Sequence, residues 1–191
     1  MVKLAICHEG HTNKSLDGEI IKLLLKDLKL DVNRVEFYGF GSKSNFYKKN
    51  YKVYKNLQMA IQEQEIKKIL FVLDADNEKD DHFFGGYVKT SKRLRSILSD
   101  LGLSSISDFY ISCNPTKKIG NIESLLLSTI PQEQKECIDD FLQCSEFKAK
   151  GNDKALLRQI YKLAYPDTPY NFKHENFDEL KEKLKTLFIT Q

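Results

Sequence analysis

Five apolar residues in a row, Ile69-Leu70-Phe71-Val72-Leu73, run straight into Asp74-Ala75-Asp76. This segment limits the fold more than any other. An apolar run of this length, bounded by polar turn formers, reads as a strand buried on both faces, as in a parallel sheet covered by helices. Parallel strands need crossover connections, so helices are expected between the strands. Parallel sheets bind ligands beyond the C-terminal ends of their strands, which is where Asp74 and Asp76 stand.

The flanking segments supply those connections. Lys3 to Cys7 is a short apolar run read as a first strand, and Gly10 to Ser15 is a polar loop. Ile20, Ile21, Leu24, Leu25 and Leu28 then recur at helical spacing. Arg34 to Tyr38 reads as a second strand. Gly39 and Gly41 break it, and Ser42 to Asn45 continues as a polar loop. Tyr54 to Gln64 fits a helix through Leu57 and Ile61. After Asp76 comes a polar loop with Asp80, Asp81, Gly85 and Gly86, then a helix over Ser91 to Leu101 and a fourth strand over Phe109 to Cys113. From Ile119 onward the segments read as helix: Ile122 to Ile130, Gln132 to Leu142, Asp153 to Ala164 and Phe177 to Phe188. Pro131 can begin one helix, and Pro166 and Pro169 separate the last two. The expected fold is therefore α/β: a mostly parallel four-stranded sheet flanked by helices over residues 1–115, with a helical C-terminal region over 116–191 packed on it.

Composition narrows the setting. Hydrophobic residues make up 41% of the chain and charged residues 30%, enough for both a core and a polar surface. No apolar run approaches the roughly 20 residues that a membrane span needs. No signal-peptide pattern opens the chain, so the expected location is cytoplasmic and no membrane partner is expected. Cys7, Cys113, Cys137 and Cys144 form no C-x-x-C pair, which points to reduced, mostly buried thiols. The net charge of +3 permits a nucleic-acid partner without demanding one. Phe46, Tyr47, Tyr51 and Tyr54 interleave with Lys43, Lys48, Lys49, Lys52 and Lys55. That stretch reads either as a surface for stacking bases or as a solvated amphipathic helix.

Glu9 follows the first strand as Asp74 and Asp76 follow the third. If the two strands are neighbours, three carboxylates converge at one edge. Such a cluster raises its own pKa values unless a cation relieves it. Oxygen-only donors favour Mg²⁺, Mn²⁺ or Ca²⁺ over zinc. In an extended chain, residues 74 and 76 point to the same side. A calcium loop starting at Asp74 is excluded, because its sixth and twelfth positions hold Lys79 and Gly85 where Gly and Glu are required. The competing structural roles are a loop or helix cap for the aspartates and a surface Glu beside a turn Gly at Glu9-Gly10. His8 and His11 flank Glu9 closely enough to touch a site there.

The two segments Ala5-Ile6-Cys7-His8-Glu9-Gly10 and Phe71-Val72-Leu73-Asp74-Ala75-Asp76 together resemble the Toprim domain. That module is found in topoisomerases, bacterial primases, overcoming-lysogenisation-defect nucleases and a ribosomal-RNA maturation ribonuclease. Its signature is Glu-Gly after the first strand and Asp-x-Asp after the third. Gly39 to Asn45, Ile119 to Leu126 and Phe172 to Leu187 resemble segments of small stand-alone Toprim-like bacterial proteins. Asn13 stands where such proteins more often carry an acid, and Ser42 where they carry the glycine before a lysine.

The resemblance implies a Mg²⁺-dependent phosphodiester enzyme, a nuclease on DNA or RNA, with Mn²⁺ as an alternative ion. Glu9 would be the general acid/base and a metal neighbour, Asp74 and Asp76 would hold Mg²⁺, and Glu123 would complete a second metal position. Gly10, Lys43 and Ser44 would contact phosphate. The turn before Lys43 lacks the G-x-x-x-x-G-K-[ST] pattern and is not a P-loop. The alternatives are a non-catalytic module that binds a nucleotide or polyphosphate through the metal, and a protein-interaction domain that docks through its helical C-terminal region.

Overall fold

The computed structural model of the chain describes residues 3–11, 15–79, 82–144, 159 and 170–189. Four strands form one sheet: β1 (Lys3–His8), β2 (Val35–Gly39), β3 (Ile66–Asp74) and β4 (Ser107–Ser112). All neighbouring pairs are parallel, and the strand order is β2-β1-β3-β4. The expected α/β fold is thus present, with a sheet that is wholly parallel. The helices are α1 (Leu16–Asp27), α2 (Lys43–Phe46), α3 (Lys52–Gln62), α4 (Tyr87–Asp100), α5 (Ile122–Leu127), α6 (Gln132–Cys144) and α7 (Asp178–Phe188). The predicted helix over Asp153 to Ala164, Pro166 and Pro169 lie outside the described residues, as do Asn13, Asp80 and Asp81.

Alternation along β3 builds two cores. Leu70 and Val72 join Leu4 and Ile6 of β1 and the apolar stripe of α1 in one. Ile69, Phe71 and Leu73 join Ala5 and Cys7 with residues of α3 and α4 in the other. Both faces are therefore dry, which is why β3 carries a continuous apolar run. Ile122, Leu125 and Leu126 of α5 and Leu180, Leu184 and Leu187 of α7 belong to the α1 side. The helices of the second half thus share a core with the first strand.

Local signals set the helix ends. Ser15 caps α1, its Oγ accepting the Gly18 N–H at 3.3 Å, and Asp17 and Glu19 in the first turn suit the helix dipole. On α7, Leu180, Leu184 and Leu187 recur along one buried stripe.

Two sequence expectations need correction. The segment Ser42 to Asn45 is not a plain loop, because Lys43–Phe46 closes a helical turn. Phe40 drives this closure: its ring stacks on Phe46 at 3.8 Å, and its carbonyl accepts from Asn45 Nδ2 and from the Tyr51 hydroxyl. The aromatic stretch is also not an exposed stacking surface as a whole, since Phe46 and Tyr54 are fully buried against Phe40 and Phe71. Of the cysteines, all free, Cys7 and Cys113 are buried, whereas Cys137 and Cys144 on α6 are exposed. Among the described residues, no helix is long and apolar enough to cross a membrane.

Candidate functional site

The sheet order reverses between β1 and β3. From β1 the chain crosses through α1 to β2 on one side, then returns past β1 to β3 on the other. Such a switch point opens a crevice beyond the strand ends. Glu9 and Asp74 stand on its two lips.

Glu9 is joined to β3 directly. The parallel register pairs His8 with Val72, so β1 has ended where Asp74 needs a partner. Glu9 Oε1 takes that place and accepts the Asp74 backbone N–H at 2.8 Å. The side chain of one strand end thus continues the ladder of the sheet. Glu9 is half-buried, and its carboxyl is pushed up to about 8. Burial is the main cause; the Asp74 N–H opposes it, and the nearby charge of Asp76 adds to it.

Asp74 sits on the α1/α5 face and is only 9% exposed. Its Oδ1 accepts the Ile122 N–H at 3.1 Å, tying β3 to the first turn of α5. Asn121 caps the same helix through Ser124 N–H. Glu123 lies in that first turn, one residue beyond the group that Asp74 holds.

Asp76 departs from the extended geometry that the D-x-D spacing suggests. Its φ is +56°, a left-handed conformation that Asp tolerates better than most residues. The same-side argument for residues 74 and 76 therefore fails. Asp76 is instead pinned by backbone pairing with Gly120. Its carboxylate meets Lys43, whose Nζ donates to Asp76 Oδ2 at 3.1 Å and to the Ala75 carbonyl at 2.8 Å. Lys43 is 6% exposed. It is no ordinary loop lysine but a buried ammonium at the strand end.

The remaining candidates divide. Gly10 packs so tightly that a Cβ there would run into Ser15, so its place is required by the start of α1. Ser44 faces Ser42, with their hydroxyls 3.1 Å apart. His8 is fully buried on the α1 side, where Ser15 Oγ lies 3.1 Å from its Nδ1, and burial followed by the charge of Lys22 lowers its pKa to about 4. His11 is exposed, its ring lying close beside Gly41.

Two neighbours escaped the reading of the sequence. Arg93 on α4 lies over the rings of both Tyr47 and Phe84, 5.4 and 4.9 Å from their centroids. A cleft of roughly 510 Å³ opens beside Asp76 and includes Asn114, Lys117, Gly120 and Lys135 in its walls. No local motif marks Lys117 or Lys135, because the turn after β4 and the helix α6 meet only in the folded chain.

Among the described residues, no three His, Cys, Asp or Glu side chains are gathered as a metal-ion cluster. The donor chemistry nevertheless suits a hard cation. Glu9, Asp74 and Asp76 offer oxygen alone at one sheet edge, where burial first, and then the charge of Asp76, raises the pKa of Glu9 against the opposing Asp74 N–H and Lys43 charge.

Comparison with protein-family models, with curated proteins and with solved structures gives no match for this chain. What fold and site define is a class: a parallel α/β protein with a carboxylate–lysine group at the switch point of its sheet.

Proposed function

We propose that this chain is a Mg²⁺-dependent phosphodiester-processing protein of Toprim type, acting as a nuclease on DNA or RNA. The observation that carries this reading is the Glu9–Asp74 hydrogen bond across the switch point, with Asp76 and Lys43 alongside. It joins the two segments on which the family resemblance rests. Asp74 and Asp76 would hold Mg²⁺, or Mn²⁺, joined by Glu9 where it is ionised, with Glu123 the nearest acid on α5 for a second ion. The ion would supply Lewis-acid stabilisation of charge on the phosphate oxygens.

The protein's own groups have separate tasks. Glu9, with its pKa raised to about 8, holds a proton near neutral pH while no ion is bound to it; as general acid it would deliver that proton to a departing oxygen and leave the ion to Asp74 and Asp76. Lys43 brings positive charge to a phosphate at the strand end, and its link to Ala75 fixes its position. Gly10 acts through close packing and Ser44 offers a hydroxyl, which lies beside that of Ser42. A cytoplasmic location accompanies this reading.

A second reading draws on one specific contact. The Lys43–Asp76 ion pair already balances one carboxylate without a metal. This favours a non-catalytic module that binds a nucleotide or polyphosphate.

Incubation with single-stranded and duplex DNA, RNA and nucleoside triphosphates, in Mg²⁺ or Mn²⁺, separates the two. Glu9→Gln and Asp74→Asn keep oxygen acceptors for the Asp74 and Ile122 N–H groups, so both variants are expected to fold. Cleavage that disappears in both supports the enzyme. Metal-dependent nucleotide binding without product supports the module. Calorimetry that finds no divalent-metal binding refutes both.

A further inference from the structure

Asp76 belongs to two surroundings at once. On one side is a rim of aromatic rings. Tyr47 and Phe84 stack nearly parallel, with centroids 5.3 Å apart and planes 11° apart. Arg93 covers both rings and donates from Nη1 to the Phe83 carbonyl at 2.8 Å. The rim is fastened to the site: Gly86 N–H donates to the Ala75 carbonyl at 2.8 Å, and Thr90 Oγ1 donates to the Phe84 carbonyl. Tyr47 itself feels the site. Its hydroxyl is pushed up to about 12, first by burial, with the charges of Glu9 and Asp76 adding to it. At the outer end of the rim stands Phe83, 78% exposed, its ring 6.5 Å from that of Phe84.

On the other side of Asp76 lies the cleft, bounded by Asn114, Lys117 and Lys135. Among the described residues, neither Lys117 nor Lys135 enters an ion pair. Their charge is available to an anion that enters from outside.

These two features have complementary chemistry. An exposed ring tilted beside a fixed aromatic–guanidinium stack offers a π-face to a flat, unsaturated group. Two ammonium groups in the cleft beside Asp76, outside any ion pair among the described residues, offer charge to phosphates. A paired duplex hides the faces of its bases, so it can use the lysines but not Phe83. An unpaired strand can use both.

We infer that the ligand of this edge is a single-stranded nucleic acid, one of whose bases stacks on Phe83 at the Tyr47–Phe84–Arg93 rim while its phosphates pass Asp76 into the Lys117–Lys135 cleft. The inference rests on the nucleic-acid half of the function proposed above and narrows it to unpaired strands. DNA and RNA share the chemistry that the rim and cleft read.

The test is fluorescence anisotropy on the full chain with labelled oligo-dT, oligo-rU and a DNA duplex, first in EDTA and then with Mg²⁺. Both single strands should bind more tightly than the duplex. Phe83→Ala, at an exposed position that threatens no core, should weaken single-strand binding by roughly tenfold, the size of a lost base–aromatic stack, and leave duplex binding unchanged. Lys117→Gln with Lys135→Gln should reduce the slope of log K against log salt by about 1.4 for single strands. Met59→Ala, exposed on α3, should change neither. Duplex bound as tightly as single strands, or a Phe83→Ala variant with undiminished single-strand affinity, overturns the inference. Because binding is read in EDTA, absence of cleavage would count against the enzymatic reading and not against this one.

Discussion

Glu9 Oε1 holds the backbone N–H of Asp74 at 2.8 Å, so a side chain just past the end of β1 serves as the last rung between two parallel strands. This relationship makes Glu9 structural before it is anything else. It also fixes the distance between the two strand ends on which any chemistry at this edge depends. Replacement by Gln preserves an acceptor. Replacement by Ala leaves the Asp74 N–H without its partner, and Glu9→Ala is expected to cost about 1–3 kcal/mol. Urea unfolding that finds Glu9→Ala as stable as Glu9→Gln would remove the rung from the account.

The raised pKa of Glu9 has a definite sign in stability. The folded value, about 8, exceeds the ordinary value of 4.5. The folded chain therefore holds a proton that the unfolded chain releases. The Glu9 contribution is fully present below about 4.5, declines above it, and is lost once pH has risen through about 8. Wild type should lose stability relative to Glu9→Gln across that window and run parallel to it above. A urea-midpoint difference that stays flat with pH would show that Glu9 titrates normally.

Divalent metal should act in the opposite sense. A carboxylate must be ionised to bind Mg²⁺, so binding releases the Glu9 proton and tightens with pH. The rise in melting temperature on adding Mg²⁺ should be larger at about pH 8.5 than at about pH 6, and Asp76→Asn should diminish it. Equal shifts at both pH values would argue that Glu9 takes no part in holding the ion.

Lys43 and Asp76 should be coupled. Removing the buried ammonium leaves Asp76 and the Ala75 carbonyl without a shared donor. Lys43→Met is expected to destabilise by about 2–4 kcal/mol, less than the loss for a fully buried pair because Asp76 retains some solvent. Asp76→Asn in the same background should cost less than in the wild type. Additive losses in the double-mutant cycle would mean that the two groups act independently.

Asp74 offers a way to separate support from chemistry. Asp74→Ala orphans the buried Ile122 N–H and should cost about 1–3 kcal/mol. Asp74→Asn can still accept that bond, so it should lose less stability while losing Mg²⁺ binding. Calorimetry showing full metal affinity in Asp74→Asn would place the ion elsewhere.

Periodicity and chain neighbours determined most of the fold. The unbroken run at Ile69 to Leu73 required a strand covered on both faces, and the Ile20 to Leu28 spacing required an amphipathic helix; both are present. These are local properties, since side-chain direction repeats with the backbone itself. The placing of Glu9 and Asp74 at strand ends was legible for the same reason. Their adjacency was not, because strand order is set by which faces bury together. The left-handed turn at Asp76 depends on Gly120, far along the chain, and the burial of Lys43 depends on the Phe40–Phe46 stack. Arg93 joined Tyr47 and Phe84 only when α4 packed beneath the sheet. Sequence alone therefore named the carboxylates, while tertiary structure decided which groups they meet, because contacts between distant segments arise from packing and not from local repeat.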